Sequence, residues 1–252
     1  MTGPLSTVTD EPLVSCLCVT RDRLAFMPWL LWGFDRQTWS RKELVVIDNS
    51  AQPLSLPDRP DVRILRAPEA AHVAAKRNQA LDAARGVIIA WFDDDDWQHP
   101  SRLEASVASL RDGTPCTGPT SSWMLDLTGG KTWHFRGSRE WMLFNGAAFR
   151  TDVARCARFD PARRRASDTV WLARLIDSGA ALGWQPLELR TFFWLVHGSN
   201  LSVSTCRTAL RTALTAVPRS ELVTALGVQA WGDTDEQLAA LAIRLRIAGE
   251  RR

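Results

Sequence analysis

Four consecutive aspartates, at positions 93–96, come directly after the apolar residues 87–92 in the segment VIIAWFDDDDWQHP. An apolar run of this length, β-branched at its start, is typical of a buried strand. Adjacent carboxylates repel one another unless a cation offsets their charge. Carboxylate oxygens suit Mg²⁺ or Mn²⁺, and such ions commonly bridge two phosphates. The segment therefore predicts a divalent-metal site for a nucleoside diphosphate, with a solvated acidic turn or an N-cap for the helix at Arg102 as the alternatives.

The elements that would position these acids alternate between strand and helix over the first 110 residues. Apolar runs predict strands at 13–19, 44–47, 61–67 and 87–92. The segments 24–37, 70–85 and 102–111 predict helices, and Gly86 is expected to end the second of them. Such alternation predicts a mostly parallel sheet with helices on both faces, whose ligands bind beyond the carboxyl ends of the strands. Asp48 follows the second strand, so we expect it at the same edge as the four aspartates.

Composition narrows the class of protein. At 252 residues and 45% hydrophobic, the chain can bury a full core. Its apolar runs are too short to span a bilayer, and its first residues lack the basic and apolar regions of a secretory signal. The five cysteines are odd in number, which favours buried thiols in a reducing compartment. We expect a cytoplasmic protein without a nucleic-acid partner, and leave open a location at the inner face of the membrane.

Five segments of the chain carry a resemblance to a known family. They are VSCLCVTRDR, QTWSRKELVVIDNS, AAKRNQALDAARGVIIAWFDDDDWQHPSRLE, FNGAAFRTDVARCARFDPARRRASDTVWLARL and HGSNLS. In this order they resemble the family 2 glycosyltransferases of the GT-A fold, whose pattern includes an Asp-x-Asp strand end, a Glu-Asp pair and a His-x-x-Asn-x-Ser ending. The resemblance implies a GT-A domain over residues 1–202, with nucleotide-sugar binding in 13–100 and the acceptor and catalytic half in 101–202. A C-terminal helical extension would follow over 203–252.

The resemblance also implies a reaction and its residues. The reaction is a metal-dependent, inverting transfer of a sugar to an acceptor hydroxyl, in polysaccharide, glycolipid or natural-product glycan synthesis. Asp168 would be the general base, and Asp95 and His197 would hold Mn²⁺ or Mg²⁺. The residues implied to bind the donor are Thr20, Arg23, Asp48, Arg77, Asn78, Asp93 and Asp94. Those implied to support the site or contact the acceptor are Asp96, Trp97, Asn200 and Ser202. The donor would be linked to UDP, dTDP or GDP, and the acceptor is undetermined.

The chain departs from the family pattern at Ser167, which stands where the usual pair has glutamate. One carboxylate is therefore missing beside Asp168, and one of these two residues is expected to cap the following helix. Two other classes stay open. A nucleotidyltransferase acting on a sugar phosphate would normally carry a glycine-rich phosphate loop, which the segment TRDRLAFMP lacks. A sugar-nucleotide-binding protein that has lost catalysis is permitted by the missing glutamate.

The last part of the chain changes character. Residues 205–218 and 233–252 show helical patterns with interleaved arginines. We expect helices here that pack on the catalytic domain, form a homodimer or lie on a membrane surface.

Overall fold

A computed structural model describes residues 11–111, 113–136, 142–163, 166–187, 191–197 and 214–250. Its strands are β1 (Val14–Thr20), β2 (Lys42–Asp48), β3 (Val62–Arg66), β4 (Ile88–Trp91), β5 (Asp96–Gln98), β6 (Cys116–Gly118), β7 (Ser121–Asp126), β8 (Thr132–Arg136), β9 (Ala148–Arg150), β10 (Gln185–Pro186), β11 (Phe192–Val196) and β12 (Leu214–Val217). Its helices are α1 (Met27–Asp35), α2 (Val73–Ala83), α3 (Arg102–Leu110), α4 (Thr151–Ala154), α5 (Ser167–Asp177), α6 (Arg219–Leu226), α7 (Val228–Trp231) and α8 (Thr234–Glu250).

The first sheet is mostly parallel and has the order β10-β6-β9-β4-β1-β2-β3. Strands β4, β1, β2 and β3 run parallel to one another, while β9 runs antiparallel to both β4 and β6. Successive residues of β1 pack into different cores: Cys16 and Cys18 belong to one apolar cluster and Leu17 to the other. Strands buried on both faces in this way are continuous apolar runs in sequence, which is why they were predictable. The predicted α/β class with a mostly parallel sheet is confirmed.

A second sheet, which the sequence did not predict, has the order β12-β8-β7-β11-β5. Its neighbours are antiparallel except for β11 and β7, which are parallel. Strand β5 starts at Asp96, so the acidic segment is the junction between the two sheets. Residues of β11 and β7 pack with the C-terminal helices in one core, which includes Phe193, Leu195 and Trp231.

The end of the chain differs from its predicted pattern. Residues 205–213 lie outside the described residues, but Leu214–Val217, expected to be helical, forms a strand that pairs antiparallel with β8. The β-branched residues Thr215 and Val217 favour a strand, and β8 offers an edge for it. The helices that follow are present and contribute Leu222 and Leu241 to the core. The boundary at residue 202 stays a prediction, because it lies outside the described residues.

Gly86 has a different role from the one expected. The helix α2 ends at Ala83 with Ala84 as its C-cap. A Cβ atom on Gly86 would lie 2.4 Å from the carbonyl oxygen of Leu13 and 2.8 Å from the amide nitrogen of Ser15. The glycine is therefore needed for the close approach of this segment to β1.

Across the described ranges, no helix combines the length and apolar character needed to cross a bilayer.

Candidate active site

The carboxyl ends of β1, β2 and β4 bring the predicted acids together. Thr20 at the end of β1 is the register partner of Asp48 at the end of β2. Leu17 pairs with Trp91 of β4, so the aspartates after β4 extend to the level of Thr20. The Thr20 hydroxyl donates a 2.5 Å hydrogen bond to Asp94 Oδ2. The predicted edge of the sheet is thus where these side chains meet.

Arg23 forms ion pairs with the acidic segment. Its Nη1 lies 2.7 Å from Asp94 Oδ1 and 2.7 Å from Asp95 Oδ2. Burial alone would lower the pKa of the Arg23 guanidinium, but the two carboxylates outweigh it and raise the pKa. Arg23 therefore stays charged and offsets part of the negative charge of the cluster.

The amide of Asn145 holds the two remaining aspartates. Asn145 follows β8 in sequence within a 3₁₀ turn, Phe144–Gly146, and its Nδ2 donates to Asp93 Oδ2 and, at 3.1 Å, to Asp96 Oδ2. Burial raises the pKa of Asp93 to about 6, with Asp95 and Asp94 raising it further and Arg77 opposing. Burial and the charges of Asp95 and Asp93 also raise the pKa of Asp96 well above its usual range. Burial is thus the largest cause of both shifts, and the neighbouring carboxylates add to it.

Asp95 and His197 form the pair that could hold a metal. His197 follows β11, its ring lies against Phe26 at 4.5 Å, and its Nε2 lies 3.1 Å from Asp95 Oδ2. Two ligand atoms at about 2.1 Å from one octahedral ion lie roughly 3 Å apart when adjacent, so this separation fits Mg²⁺ or Mn²⁺. Among the described residues, no three His, Cys, Asp or Glu side chains converge on one metal position. Two protein ligands suffice for such an ion when water and substrate phosphates complete its coordination.

Asp48 is fully buried and organises the loop that follows β2. Its Oδ1 accepts hydrogen bonds from the Ser50 amide at 2.8 Å and the Ser50 hydroxyl at 2.5 Å. Its Oδ2 accepts from the Leu54 amide at 3.0 Å and from Arg66 Nη1. Burial alone would raise the pKa of Asp48, but these hydrogen bonds outweigh it and hold the pKa below its usual range. The carboxylate is ionised, and it fixes the loop beside the site.

Lys76, which the sequence analysis missed, lies under the same edge of the sheet. Its Nζ donates to the Thr20 carbonyl oxygen and to Asn49 Oδ1, both at 2.8 Å. Burial lowers the pKa of the Lys76 ammonium to about 8. The side chain joins the ends of β1 and β2, so it holds the two strand ends in register. Almost all basic residues of the chain are arginines, so a lysine on a predicted helix was the signal that could have pointed to this residue.

Arg77 links the acidic cluster to the predicted base. Its guanidinium lies over the ring of Phe144 at 4.6 Å, and its Nη1 donates to Ser167 Oγ at 2.9 Å and lies 4.0 Å from Asp168 Oδ2. Ser167 and Asp168 are the first residues of α5. The N-cap is Ala166, in the left-handed region at φ 51°, and no side chain caps this helix. The expectation that Ser167 or Asp168 is the cap is therefore wrong, because Ser167 is already turned towards Arg77.

Four predicted site residues lie away from the cluster or outside the described part of the chain. The side chain of Asn78 exchanges two hydrogen bonds, at 2.8 and 2.9 Å, with the backbone of Phe159. Trp97 is buried, stacks on Phe193 at 5.1 Å and donates to Thr234 Oγ1 at 3.1 Å, so it joins the second sheet to α8. The two predicted residues outside the described ranges are Asn200 and Ser202.

Comparison with known families identifies the class of this chain. The family model of glycosyl transferase family 2 matches residues 19–152, which contain the end of β1, strands β2 to β4, the acidic segment and α2. The chain therefore belongs to glycosyl transferase family 2. A sequence comparison with curated proteins gives no match.

Solved structures show which fold the chain shares. The TarS fragment 1–349 of S. aureus in complex with UDP is 14% identical, has a TM-score of 0.52, and aligns over 74% of this chain and 61% of its own. The same fragment with UDP-GlcNAc gives a TM-score of 0.54 at 14% identity, over 74% of this chain and 59% of its own. The mannosyltransferase PcManGT of Pyrobaculum calidifontis, solved with GDP-Man and Mn²⁺, is 17% identical with a TM-score of 0.58, over 96% of this chain and 76% of its own. The chain thus spans about three fifths of the TarS fragment, and the predicted GT-A fold is confirmed.

Proposed function

We propose that this chain is a metal-dependent, inverting glycosyltransferase that moves a sugar from a nucleoside-diphosphate sugar to an acceptor hydroxyl. One observation supports the proposal: three features lie at the same edge of the first sheet. They are the acidic segment after β4, the pair Asp95 and His197, and the loop that Asp48 holds in place. A divalent cation would stabilise the carboxylates gathered at this edge, and a ligand that brings its own phosphates would complete the coordination of that cation.

Asp95 and His197 are the residues that would hold Mn²⁺ or Mg²⁺. When bound, the ion would offset the negative charge of the departing nucleoside diphosphate. Other residues of the chain would contact the donor or hold the strand ends in place. Arg23 lies against Asp94 and Asp95, within reach of a diphosphate placed beside them. The loop held by Asp48 would border the nucleoside, and Lys76 would keep the strand ends beneath it in place.

Asp168 would accept the proton of the attacking hydroxyl. Its side chain is about one third exposed, so an acceptor can reach it. It is also close enough to the acidic cluster that its charge raises the pKa of Asp93. Arg77 donates a hydrogen bond to Ser167, and together these two residues would position the base, Asp168. A single base that assists one direct displacement at the anomeric carbon inverts the configuration of the sugar.

The donor class is proposed from the chemistry of the site and from similar structures. UDP, UDP-GlcNAc and GDP-Man are bound in TarS and PcManGT, which have the same fold. We propose a UDP-, dTDP- or GDP-linked donor for this chain, with Mn²⁺ or Mg²⁺ as its cofactor. The acceptor would belong to a polysaccharide, glycolipid or natural-product glycan.

A thermal-shift screen tests the donor and the metal together. UDP-, dTDP- and GDP-sugars are added with and without Mn²⁺, and the release of nucleoside diphosphate is measured for those that stabilise the chain. A matching donor at about 100 times its Kd should raise the melting temperature by roughly 5–10 °C. The variant Asp95→Asn should lose the contribution of Mn²⁺ to this rise. Asp82→Asn, which changes an exposed aspartate paired with Arg158, is the matched control.

The outcomes separate the three functional classes. Stabilisation by a sugar nucleotide with Mn²⁺, followed by turnover, supports the transferase. Stabilisation without turnover in any acceptor mixture favours a binding protein that has lost catalysis. Release of pyrophosphate from a nucleoside triphosphate and a sugar phosphate would indicate a nucleotidyltransferase instead. No stabilisation by any of the three donor classes would contradict the proposal.

A further inference from the structure

A cavity of about 480 Å³ lies on the second sheet, away from the first sheet's strand ends. Its lining residues are Met124, Asp126, Gly129, Lys131, Trp133, Leu214 and Ala216. The lining residues of β7 and of β12 are two positions apart, as are Lys131, just before β8, and Trp133 within it, so in each strand they share one face of the sheet. The intervening residues Leu125 and Thr132 are buried on the opposite face. The volume is within the range of pockets that bind small molecules.

The cavity is joined to the acidic cluster by one row of residues across the sheet. Asp96 of β5 is the register partner of Trp194 of β11, which pairs with Met124 of β7, which pairs with Trp133 of β8. Directly opposite residues point to the same face, so this row runs on one side of the sheet. With neighbouring strands about 4.8 Å apart, the row from Asp96 to Trp133 is roughly 14 Å long. A short oligosaccharide is about as long.

The row presents aromatic rings that are held in place. Trp194 is partly exposed, and its ring centroid lies 5.8 Å from that of Phe135 and 5.1 Å from that of Phe192, with angles of 66° and 89° between the ring planes. Trp133 is also partly exposed. Two neighbouring strand spacings separate these tryptophans, or about 10 Å. Large, rigid rings with one apolar face are suited to stack on the apolar face of a sugar ring.

The polar end of the cavity is also rigid. Asp126 Oδ1 accepts hydrogen bonds from the Thr128 amide at 2.8 Å, the Thr128 hydroxyl at 2.6 Å and the Gly129 amide at 3.1 Å. These bonds fix the β7–β8 turn, which carries the exposed Lys131 at the rim. A fixed carboxylate and an ammonium group can hydrogen-bond hydroxyls, and a rim that is already ordered loses little entropy on binding.

We propose that this cavity and the row that leads to it bind the acceptor oligosaccharide, with the sugar that receives the new residue near Asp96 and a more distant sugar stacked on Trp133. The proposal rests on the proposed function for the reaction, but the saccharide site itself can be tested without turnover. The mixture of rings, one carboxylate and one lysine suits a neutral or amino sugar. A polyanionic ligand would need more cations than the cavity offers.

Saturation-transfer NMR measures the binding directly. The probe is a pool of maltotriose, cellotriose, mannotriose and triacetylchitotriose, added to the full chain without donor or metal. At least one of these should receive saturation from the protein. Trp133→Ala should weaken that binding about tenfold or more, as expected when a ring stacked on a ligand is removed. Trp133→Phe, which keeps a ring, should bind within a few-fold of the unmodified chain.

Trp184→Ala is the matched control, because Trp184 is also partly buried but lies beside β10 at the far edge of the first sheet. It should bind the oligosaccharide as the unmodified chain does. Lys131→Ala changes an exposed side chain at the rim and tests the site without touching the core. The proposal would be overturned if Trp133→Ala and Lys131→Ala both bound the oligosaccharide as tightly as the unmodified chain does. It would also be overturned if no sugar of the pool received saturation from the protein. The rise in melting temperature with nucleotide sugar and Mn²⁺, measured in parallel, reports on the proposed function separately.

Discussion

Replacement of Asp168 by asparagine isolates the role of the proposed base. Asp168 lies in the first turn of α5, where its Oδ1 accepts a 2.9 Å hydrogen bond from the Thr169 amide. Its Oδ2 lies 4.0 Å from Arg77 Nη1. Asparagine has the same shape and retains a carbonyl oxygen for the Thr169 amide. It cannot take up the proton of an acceptor hydroxyl.

The geometry fixes the expected size of two separate effects. The change removes an ion pair at 4.0 Å whose carboxylate is about one third exposed. Pairs of this kind contribute about 0–1 kcal/mol after screening by water and salt, so the free energy of unfolding should hardly change. General-base assistance contributes typically about 10²–10⁴ in rate, so sugar transfer should fall by that factor. Because Asp168 does not contact the pair that would hold the metal, the affinity for donor and Mn²⁺ should stay within a few-fold.

The assay compares transfer and binding in the same set of variants. Nucleoside diphosphate release is measured with the donor that stabilises the chain and the oligosaccharide that binds it, and donor affinity is measured by calorimetry. Asp177→Asn is the matched control, because it makes the same substitution at an exposed position near the other end of α5. An Asp168→Asn protein that transfers at the parental rate would refute the assignment of the base. A large loss of stability would show that the residue is structural.

Two further predictions concern the supports of the site, and a third concerns the packing of the first sheet. Asp48→Ala leaves the Ser50 and Arg66 donors without their buried acceptor, so the free energy of unfolding should fall by about 3 kcal/mol and donor affinity by about 10- to 100-fold, measured by urea denaturation and calorimetry. The pKa of Lys76 is about 8 in the folded chain, against an ordinary 10.5. Between these pH values the unfolded chain binds more protons than the folded chain, so the contribution of Lys76 to stability rises with pH. The unfolding free energy of the parent minus that of Lys76→Met should therefore rise by on the order of 2 kcal/mol from about pH 7.5 to about pH 10. Gly86→Ala should destabilise by about 1–3 kcal/mol because its Cβ meets backbone atoms. In contrast, Gly33→Ala, whose Cβ has neighbours no closer than 3.9 Å within α1, should be neutral or stabilising by up to about 1 kcal/mol in the same denaturation experiment.

The sequence was most informative where burial leaves a local pattern. Strands β1, β2 and β4 are buried on both faces and read as unbroken apolar runs, so their bounds were predictable to within about two residues. The second sheet was missed because its pairings join distant segments. Strand β5 has three residues and pairs with β11, about a hundred residues later, so no local periodicity indicates it. Strand β12 was masked by a pattern of leucine, alanine and arginine that also suits a helix.

The candidate site was predictable in Arg23 and its acidic residues, and not in Asn145 and Lys76, which support them. Thr20, Arg23 and the four aspartates meet because they follow parallel strands of one sheet, and that topology follows from the alternation of elements. Asn145 was missed because its contact with Asp93 and Asp96 spans about fifty residues. An Asn-Gly dipeptide is typical of a turn, but it does not show where the amide points. The left-handed Ala166 likewise has no signature in the sequence, since alanine rarely adopts that conformation.

The charges of the cluster would couple the proposed metal to the proposed donor. Arg23 pairs with Asp94 and Asp95, so a cation that arrived alone would have to compete with a guanidinium held at 2.7 Å from each. A diphosphate that arrives alone must approach the buried carboxylates, which repel it. A metal and a diphosphate that arrived together would bring charges that largely cancel, and the phosphate oxygens would give Arg23 a second acceptor. In the proposed site each ligand would therefore lower the electrostatic cost of binding the other, a coupling that is reciprocal by thermodynamic necessity. Asp95, which contacts both Arg23 and His197, is the residue through which we expect the two binding equilibria to be coupled.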